Sequence, residues 1–235
     1  MTSTSSRFIV CGASEISQHL IEELLHQETG TIIVIDLSSE RLGKISAISD
    51  RIVTIEGDAT DDDTLKSASI ETATGVFIAL PDDKSTLFAC LAARQLVAGV
   101  KIIAVANDLE KSGAKLTRAG ANVIISPGML GGLRMASEVA RPAATRLLDK
   151  LMRSNPHELR LLEIEVMRNS KADNHSIGEL NIREKTGLGI IAVIKKNETL
   201  PIYNPGATLV IREGDKLVAM GGDKEEMIIK KLTLG

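Results

Sequence analysis

Gly12 and Asp36 are the residues whose type and spacing first suggest chemistry. Gly12 follows a short apolar run, Phe8 to Cys11, and precedes a stretch with Ile16, Leu20, Leu24 and Leu25 at helical spacing. Gly30 stops that stretch, and a second apolar run, Ile32 to Ile35, ends in Asp36. A glycine turn at a helix start lets backbone N–H groups face an anion. A carboxylate roughly twenty residues on, at the tip of the next strand, can accept from ribose hydroxyls and disfavours a 2′-phosphate. The pair therefore points to a nucleotide-sized ligand. The turn departs from the usual Gly-x-Gly-x-x-Gly pattern, reading Gly12-Ala13-Ser14-Glu15-Ile16-Ser17. Ser14 narrows the space for a pyrophosphate, and Glu15 sets a negative charge beside it. The other reading is a plain strand–helix–strand unit whose turn holds nothing.

The elements that must position these residues repeat along the chain. Strands are expected at Ile52 to Glu56, Gly75 to Leu80, Ile102 to Ala106 and Val123 to Ile125. Helices are expected at Asp61 to Ser69, Ser85 to Val97 (Leu87, Leu91 and Leu96 inward) and up to about Arg118, with Gly120 as a cap. Six near-continuous apolar strands alternating with helices predict an α/β fold: a Rossmann-type doubly wound parallel sheet with both faces covered. Ligands bind at the carboxyl edge of such sheets. That edge collects Gly12, Asp36, Asp58, Thr60, Asp82 and Asn107. So many acids suit a nucleotide cleft or a divalent cation, but helix caps use the same residues. Asp61, Asp83 and Asp108 read as caps, whereas Asp36 and Asp58 each close a strand directly.

After Ser126-Pro127-Gly128 the pattern changes. Met129 to Arg153 reads as a helical crossover broken at Pro142, its surface carrying Leu130, Leu133, Val139, Leu147, Leu148 and Leu151. Ser154-Asn155-Pro156 reads as a linker. A small α+β C-terminal domain follows. Leu159 to Val166 alternates, with Leu161, Ile164 and Val166 apolar against Glu163 and Glu165. Further strands fall at Gly189 to Ile194 and Lys216 to Met220, and a last helix starts at Asp223. Turns are expected at Gly187, Asn204-Pro205-Gly206 and Gly214. The division is 1–128, 129–156 and 157–235.

Composition excludes several classes. The chain has 235 residues, 43 % apolar, with 2 % aromatic and no Trp, so its cores are built from Ile, Leu, Val and Ala. A net charge of −3 with no basic block argues against nucleic-acid binding. No apolar stretch approaches the roughly 20 residues that span a bilayer, and the polar start at Met1 to Ser6 is no signal peptide. Cys11 and Cys90 lie within apolar segments and read as buried thiols of a reduced, cytosolic protein.

An ordered set of stretches resembles the RCK (regulator of conductance of potassium, also KTN) domain. In the first part these are CGASEIS, VIDLSSER, GDAT, ALPDDKST and RAGANVIISP. In the last part they are LRLLEIEV and SIGELNIREKTGLGIIAVIKKNETLPIYNPGATLVIREGDKLVAMGG, so nearly the whole chain is covered. The turn C-G-x-S-E-x-S is closest to RCK domains fused to channels. The resemblance implies a Rossmann lobe (TrkA-N), a helical crossover and a small lobe (TrkA-C). It implies adenine nucleotide or NAD contacts at Gly12, Ala13, Ser14, Asp36, Leu37, Asp58, Ala59 and Leu80. It implies homodimers that assemble into a cytoplasmic ring at the inner membrane face, acting on a potassium channel or transporter pore in the same chain or a separate subunit. Ligand binding would change the lobe angle. Calcium-gated members need carboxylates after strands four and five. Here those places read Ala79-Leu80-Pro81 and Ala106-Asn107-Asp108, so a divalent cation is an open option but calcium is not favoured.

Two other functions compete. A nicotinamide-dependent oxidoreductase needs a proton-transfer group near its cofactor. The one tyrosine, Tyr203, falls in a C-terminal turn, and His19, His26, His157 and His175 miss the strand tips, so an enzyme is not expected. A ring component that has lost its ligand is the other, because Ser14 and Ser17 replace glycines.

Overall fold

A computed structural model describes residues 6–27, 30–152 and 160–233. The linker expected at Ser154 to Pro156 lies outside the described residues. The chain divides into two compact units, Met1–Ala136 and Ser137–Gly235.

In the first unit, β1 (Arg7–Cys11), α1 (Glu15–Gln27), β2 (Thr31–Asp36), α2 (Ser39–Ser46) and β3 (Ile52–Glu56) build one half of a sheet. The other half comes from α3 (Asp62–Ser67), a 3₁₀ turn (Ile70–Thr72), β4 (Gly75–Ile78), α4 (Asp83–Leu96), β5 (Lys101–Val105), α5 (Leu109–Arg118) and β6 (Val123–Ile125). The six strands are parallel in the order β3-β2-β1-β4-β5-β6. Alternate residues supply two cores. Ile9, Cys11, Ile33, Ile35, Val76 and Ile78 pack with Leu65, Cys90 and Leu116. Val10, Ile32 and Val34 pack with Ile21, Leu42 and Ile45 on the other face.

Two helix faces differ in part from the sequence expectation. In α1 the fully buried residues are Ser17 and Ile21, with Leu20, Leu24 and Leu25 packed beside them, while Ile16 is exposed. In α4 the buried face is small, Thr86, Ala89, Cys90, Ala92 and Ala93, and Leu91 is exposed. Leu87 and Leu96 pack at the margin of this face against the same core. The strand–helix alternation ends at Ser126-Pro127-Gly128 as expected: α6 begins at Pro127, where proline suits a first helical position, and runs to Ala140 before α7 (Pro142–Met152).

In the second unit, β7 (Arg160–Glu165), α8 (Ile177–Leu180), α9 (Ile182–Thr186), β8 (Gly189–Ile194), β9 (Ile202–Tyr203), β10 (Lys216–Gly221) and α10 (Asp223–Thr233) follow. The antiparallel sheet has the order β7-β10-β8-β9. In β7 the inward residues are Leu162, Ile164 and Val166, with Leu161 exposed, so the expected register is shifted at its first residue. Asp215, buried before β10, organises this unit. It accepts from Lys195 Nζ at 2.7 Å and from the Lys196 and Arg212 amides at 3.0 and 2.9 Å. Burial raises its carboxyl, but these partners outweigh burial and hold it below the ordinary range. Removing one partner of a buried pair strands the other donors. Asp215→Ala is therefore expected to cost about 3 kcal/mol in urea unfolding. A loss under about 1 kcal/mol, the scale of an exposed pair, would contradict this assignment.

Candidate functional site

The carboxyl edge of the parallel sheet carries a cleft of about 180 Å³. It lies beyond the ends of β2, β3 and β4 and is lined by Ile35, Asp36, Leu37, Arg41, Gly57, Asp58, Ala59, Leu80, Pro81, Asp82 and Ser85. Six of the residues singled out from the sequence thus meet there: Asp36, Leu37, Asp58, Ala59, Leu80 and Asp82. Gly12, Ala13 and Ser14 do not line it.

Asp36 has a buried carboxylate with three donors on it. Oδ2 accepts the Ala13 amide at 2.7 Å. Oδ1 accepts the Ser38 amide at 2.7 Å and Arg41 Nη2 at 2.5 Å. Burial pushes the Asp36 carboxyl up, but the Arg41 guanidinium and the two amides outweigh burial and hold it below the usual range. A carboxylate held low in this way stabilises the fold at neutral pH. Its contribution is lost as pH falls from the unfolded value, about 4, through the lower folded value.

The turn is spent differently from the sequence expectation of anion-facing amides. The Gly12 amide donates to the Ile35 carbonyl at 2.7 Å, and the Ala13 amide goes to Asp36. Two donors of the glycine turn therefore hold β2. Ser14 begins α1 as its cap: its hydroxyl accepts from the Ser17 amide at 3.3 Å and its carbonyl from Gln18 at 2.9 Å. Gly12 stands at φ +101°, and a Cβ there would lie 2.4 Å from the Ala79 carbonyl oxygen. Glycine is required by the neighbouring backbone, before any ligand is considered.

The other acids of the rim mostly serve loops. Asp58 accepts from the Thr60 amide and hydroxyl at 2.9 and 2.8 Å. Asp82, not Asp83, caps α4 by accepting from the Ser85 amide at 2.9 Å. Asp83 instead accepts from the Asn107 and Asp108 amides at 2.7 and 3.1 Å, tying α4 to the loop after β5. Asp108 caps α5, as expected, and Asp61 stands at the α3 cap without a side-chain bond. Among the described residues no three His, Cys, Asp or Glu side chains gather to hold a metal ion.

The lining residues that sequence reasoning did not single out are Arg41, Pro81 and Ser85. Arg41 sits in the first turn of α2, whose N-cap is Ser38 accepting from the Arg41 amide. The signal was Ser38 four residues before a buried Leu42–Ile45 pair, too short a stripe to stand out. Of the lining residues none is His, Lys, Tyr or Cys. Burial pushes the Cys11 thiol to about 12 and the Cys90 thiol to about 11, so both stay protonated in the core. His19 and His175 are exposed, and Tyr203 is exposed on β9 in the other unit.

The fit to an adenine nucleotide rests on the donor set. Asp36 is an acceptor at the tip of β2, where a ribose lies in open α/β folds. Arg41 supplies positive charge, and Leu37, Ala59 and Leu80 supply apolar walls. Two turn amides, Gly12 and Ala13, are already engaged and do not face a pyrophosphate.

A parallel sheet with a cleft at its carboxyl edge and a separate antiparallel sheet define a Rossmann-type domain followed by a small second lobe. The TrkA-N domain model matches residues 8–127 and the TrkA-C domain model residues 161–232. The chain belongs to this TrkA-N/TrkA-C, or RCK, family. It is 30 % identical over 231 residues to a probable potassium channel protein 2 of Methanocaldococcus jannaschii, covering 96 % of this chain and 66 % of that protein. It is 30 % identical over 233 residues to potassium channel protein 1 of the same organism, covering 98 % and 68 %. The chain thus spans about two thirds of these relatives. Among solved structures, the GsuK channel bound to NAD matches with a TM-score of 0.51 at 21 % identity, over 100 % of this chain and 39 % of that one.

Replacing Gly12 tests the turn. Gly12→Ala forces both a positive φ and a backbone clash, and is expected to cost roughly 3 kcal/mol. The readout is thermal unfolding. A variant as stable as the parent would show that β4 yields at Ala79.

Proposed function

We propose that this chain is a ligand-sensing regulatory domain that controls potassium flux through a channel or transporter pore. Its effector is an adenine nucleotide, NAD among them, bound in the cleft at Asp36. The observation that carries this reading is a charged ribose acceptor at the tip of β2, in a chain whose relatives are named as potassium channel proteins. The lack of any proton-transfer side chain other than carboxylates in the cleft lining supports regulation over catalysis. In this reading the pore is supplied by other sequence and the domain works at the cytoplasmic face; no described helix is long and apolar enough to cross a membrane.

Calorimetry with NAD, ADP and ATP tests the reading. Asp36→Asn keeps the shape and removes the charge. A charged acceptor bond is worth about 1.5–3 kcal/mol, so affinity should fall about tenfold or more. Absence of binding by the parent chain to all three nucleotides would remove the reading.

Assembly belongs to the same proposal. The described residues of α6 are not buried: Met135 is 75 % and Val139 88 % exposed, and Met129, Leu130 and Leu133 join them. In α7, Leu147 and Leu148 are exposed. Apolar faces of this kind mark interfaces, and a two-fold pairing is the commonest closed solution. The chain forms a homodimer through this region, 129–156, between lobes 1–128 and 157–235, and dimers build a ring. Leu148→Asp is expected to shift light scattering toward monomer. A parent chain that is monomeric at high micromolar concentration would exclude the ring.

A further inference from the structure

Asp36 and Arg41 together hold more information than a ribose acceptor needs. A carboxylate offers about four lone-pair sites. Three are taken: Ala13 N–H on Oδ2, and Ser38 N–H and Arg41 on Oδ1. The two amides are fixed by the turn and by the start of α2. Arg41 is the one donor of the three on a long side chain, and that side chain is 51 % exposed. A ribose diol brings two donors to a carboxylate with about one open site. Arg41 must leave for the diol to be held by both hydroxyls.

Charge adds an independent argument. The cleft lining contains the carboxylates of Asp36, Asp58 and Asp82, and Arg41 is the one Lys or Arg among them. While Arg41 lies on Asp36, its charge is locally cancelled. The remaining carboxylates then repel any phosphate carried near the ribose. A 2′-phosphate both removes one diol donor and needs a cation, and Arg41 is the cation within that cleft.

Resting on the nucleotide reading above, we propose that Arg41 is a latch on Asp36 and the residue that sets nucleotide specificity. A ribose with free hydroxyls displaces it, whereas a 2′-phosphorylated ribose depends on it. The latch is a half-exposed ion pair, weak enough to open reversibly. Opening it lowers the apparent affinity for every ligand that needs the diol.

The test titrates the full 235-residue chain and Arg41→Ala with NAD and NADP by calorimetry. Loss of the latch is expected to tighten NAD about three- to tenfold, the range of one modest ion pair. NADP is expected to bind no tighter, so the NAD-to-NADP preference rises by a similar factor. General loosening of the fold would weaken both and leave the preference unchanged. Asp36 keeps two backbone donors in this variant. Should Arg41→Ala not fold, Arg41→Gln serves for the same ratio. NAD binding by the parent with unchanged or weaker NAD binding by the variant overturns the latch while leaving the nucleotide site intact. A parent chain that binds neither dinucleotide overturns both.

Discussion

One buried carboxylate holds the carboxyl edge of the parallel sheet together. Asp36 ends β2 and reaches two other pieces of chain, the turn after β1 through Ala13 and the start of α2 through Ser38 and Arg41. Each piece arrives with an amide that has no partner in its own element, because helix starts and strand–helix turns leave such donors unsatisfied. A single charged acceptor satisfies them at once, and charge-assisted bonds of this kind are the stronger sort. The burial of Asp36 is thereby compensated. The position that would receive a ribose is also the position that shapes the cleft.

The same device recurs along the edge. Asp83 joins α4 to the loop after β5, Asp82 and Asp108 cap helices, and Asp58 turns the chain after β3. The row of acids that suggested a cation in the sequence is thus a row of backbone acceptors. On the far side of the turn, Gly12 passes so close to Ala79 that a side chain has no place. At this edge β1, β2 and the chain after β4 are tied closely together, and Arg41 is the half-exposed partner of Asp36. Under the proposed latch this is a fixed frame with one side chain whose partner changes when the ligand arrives.

Much of the first unit was legible because its strands are buried on both faces, giving unbroken apolar runs bounded by Gly and Asp. Asp36, Asp58 and Asp82 were legible as a group because a parallel sheet brings every strand tip to one edge, whereas Leu37, Ala59 and Leu80 were indicated only by the resemblance to RCK domains. What escaped had physical causes. Helix α2 buries only Leu42 and Ile45, so its period is too short to read, and Arg41 went unseen with it. Helix α4 buries alanines and Cys90 most deeply, with Leu87 and Leu96 packed at the margin of that face, so leucine spacing located the face only in part and misplaced Leu91. Adjacent leucines in β7 left its register ambiguous until β10 fixed it. Asp82 and Asp83 exchange their expected roles, since only the backbone start of α4 decides which carboxylate faces its own helix. The engagement of the Gly12 and Ala13 amides depends on how closely β2 approaches the turn, which no local pattern encodes.

The central claim is that the Asp36 frame stays fixed while a nucleotide replaces Arg41. Nuclear magnetic resonance on labelled chain during NAD titration measures it most directly. The account predicts that the Ala13 and Ser38 amides remain protected from hydrogen exchange throughout. It also predicts that the Arg41 guanidinium signals shift with the ligand, together with the amides of Leu37, Asp58 and Leu80. Loss of protection at Ala13 and Ser38, or shifts confined to the second unit with Arg41 unmoved, would contradict it.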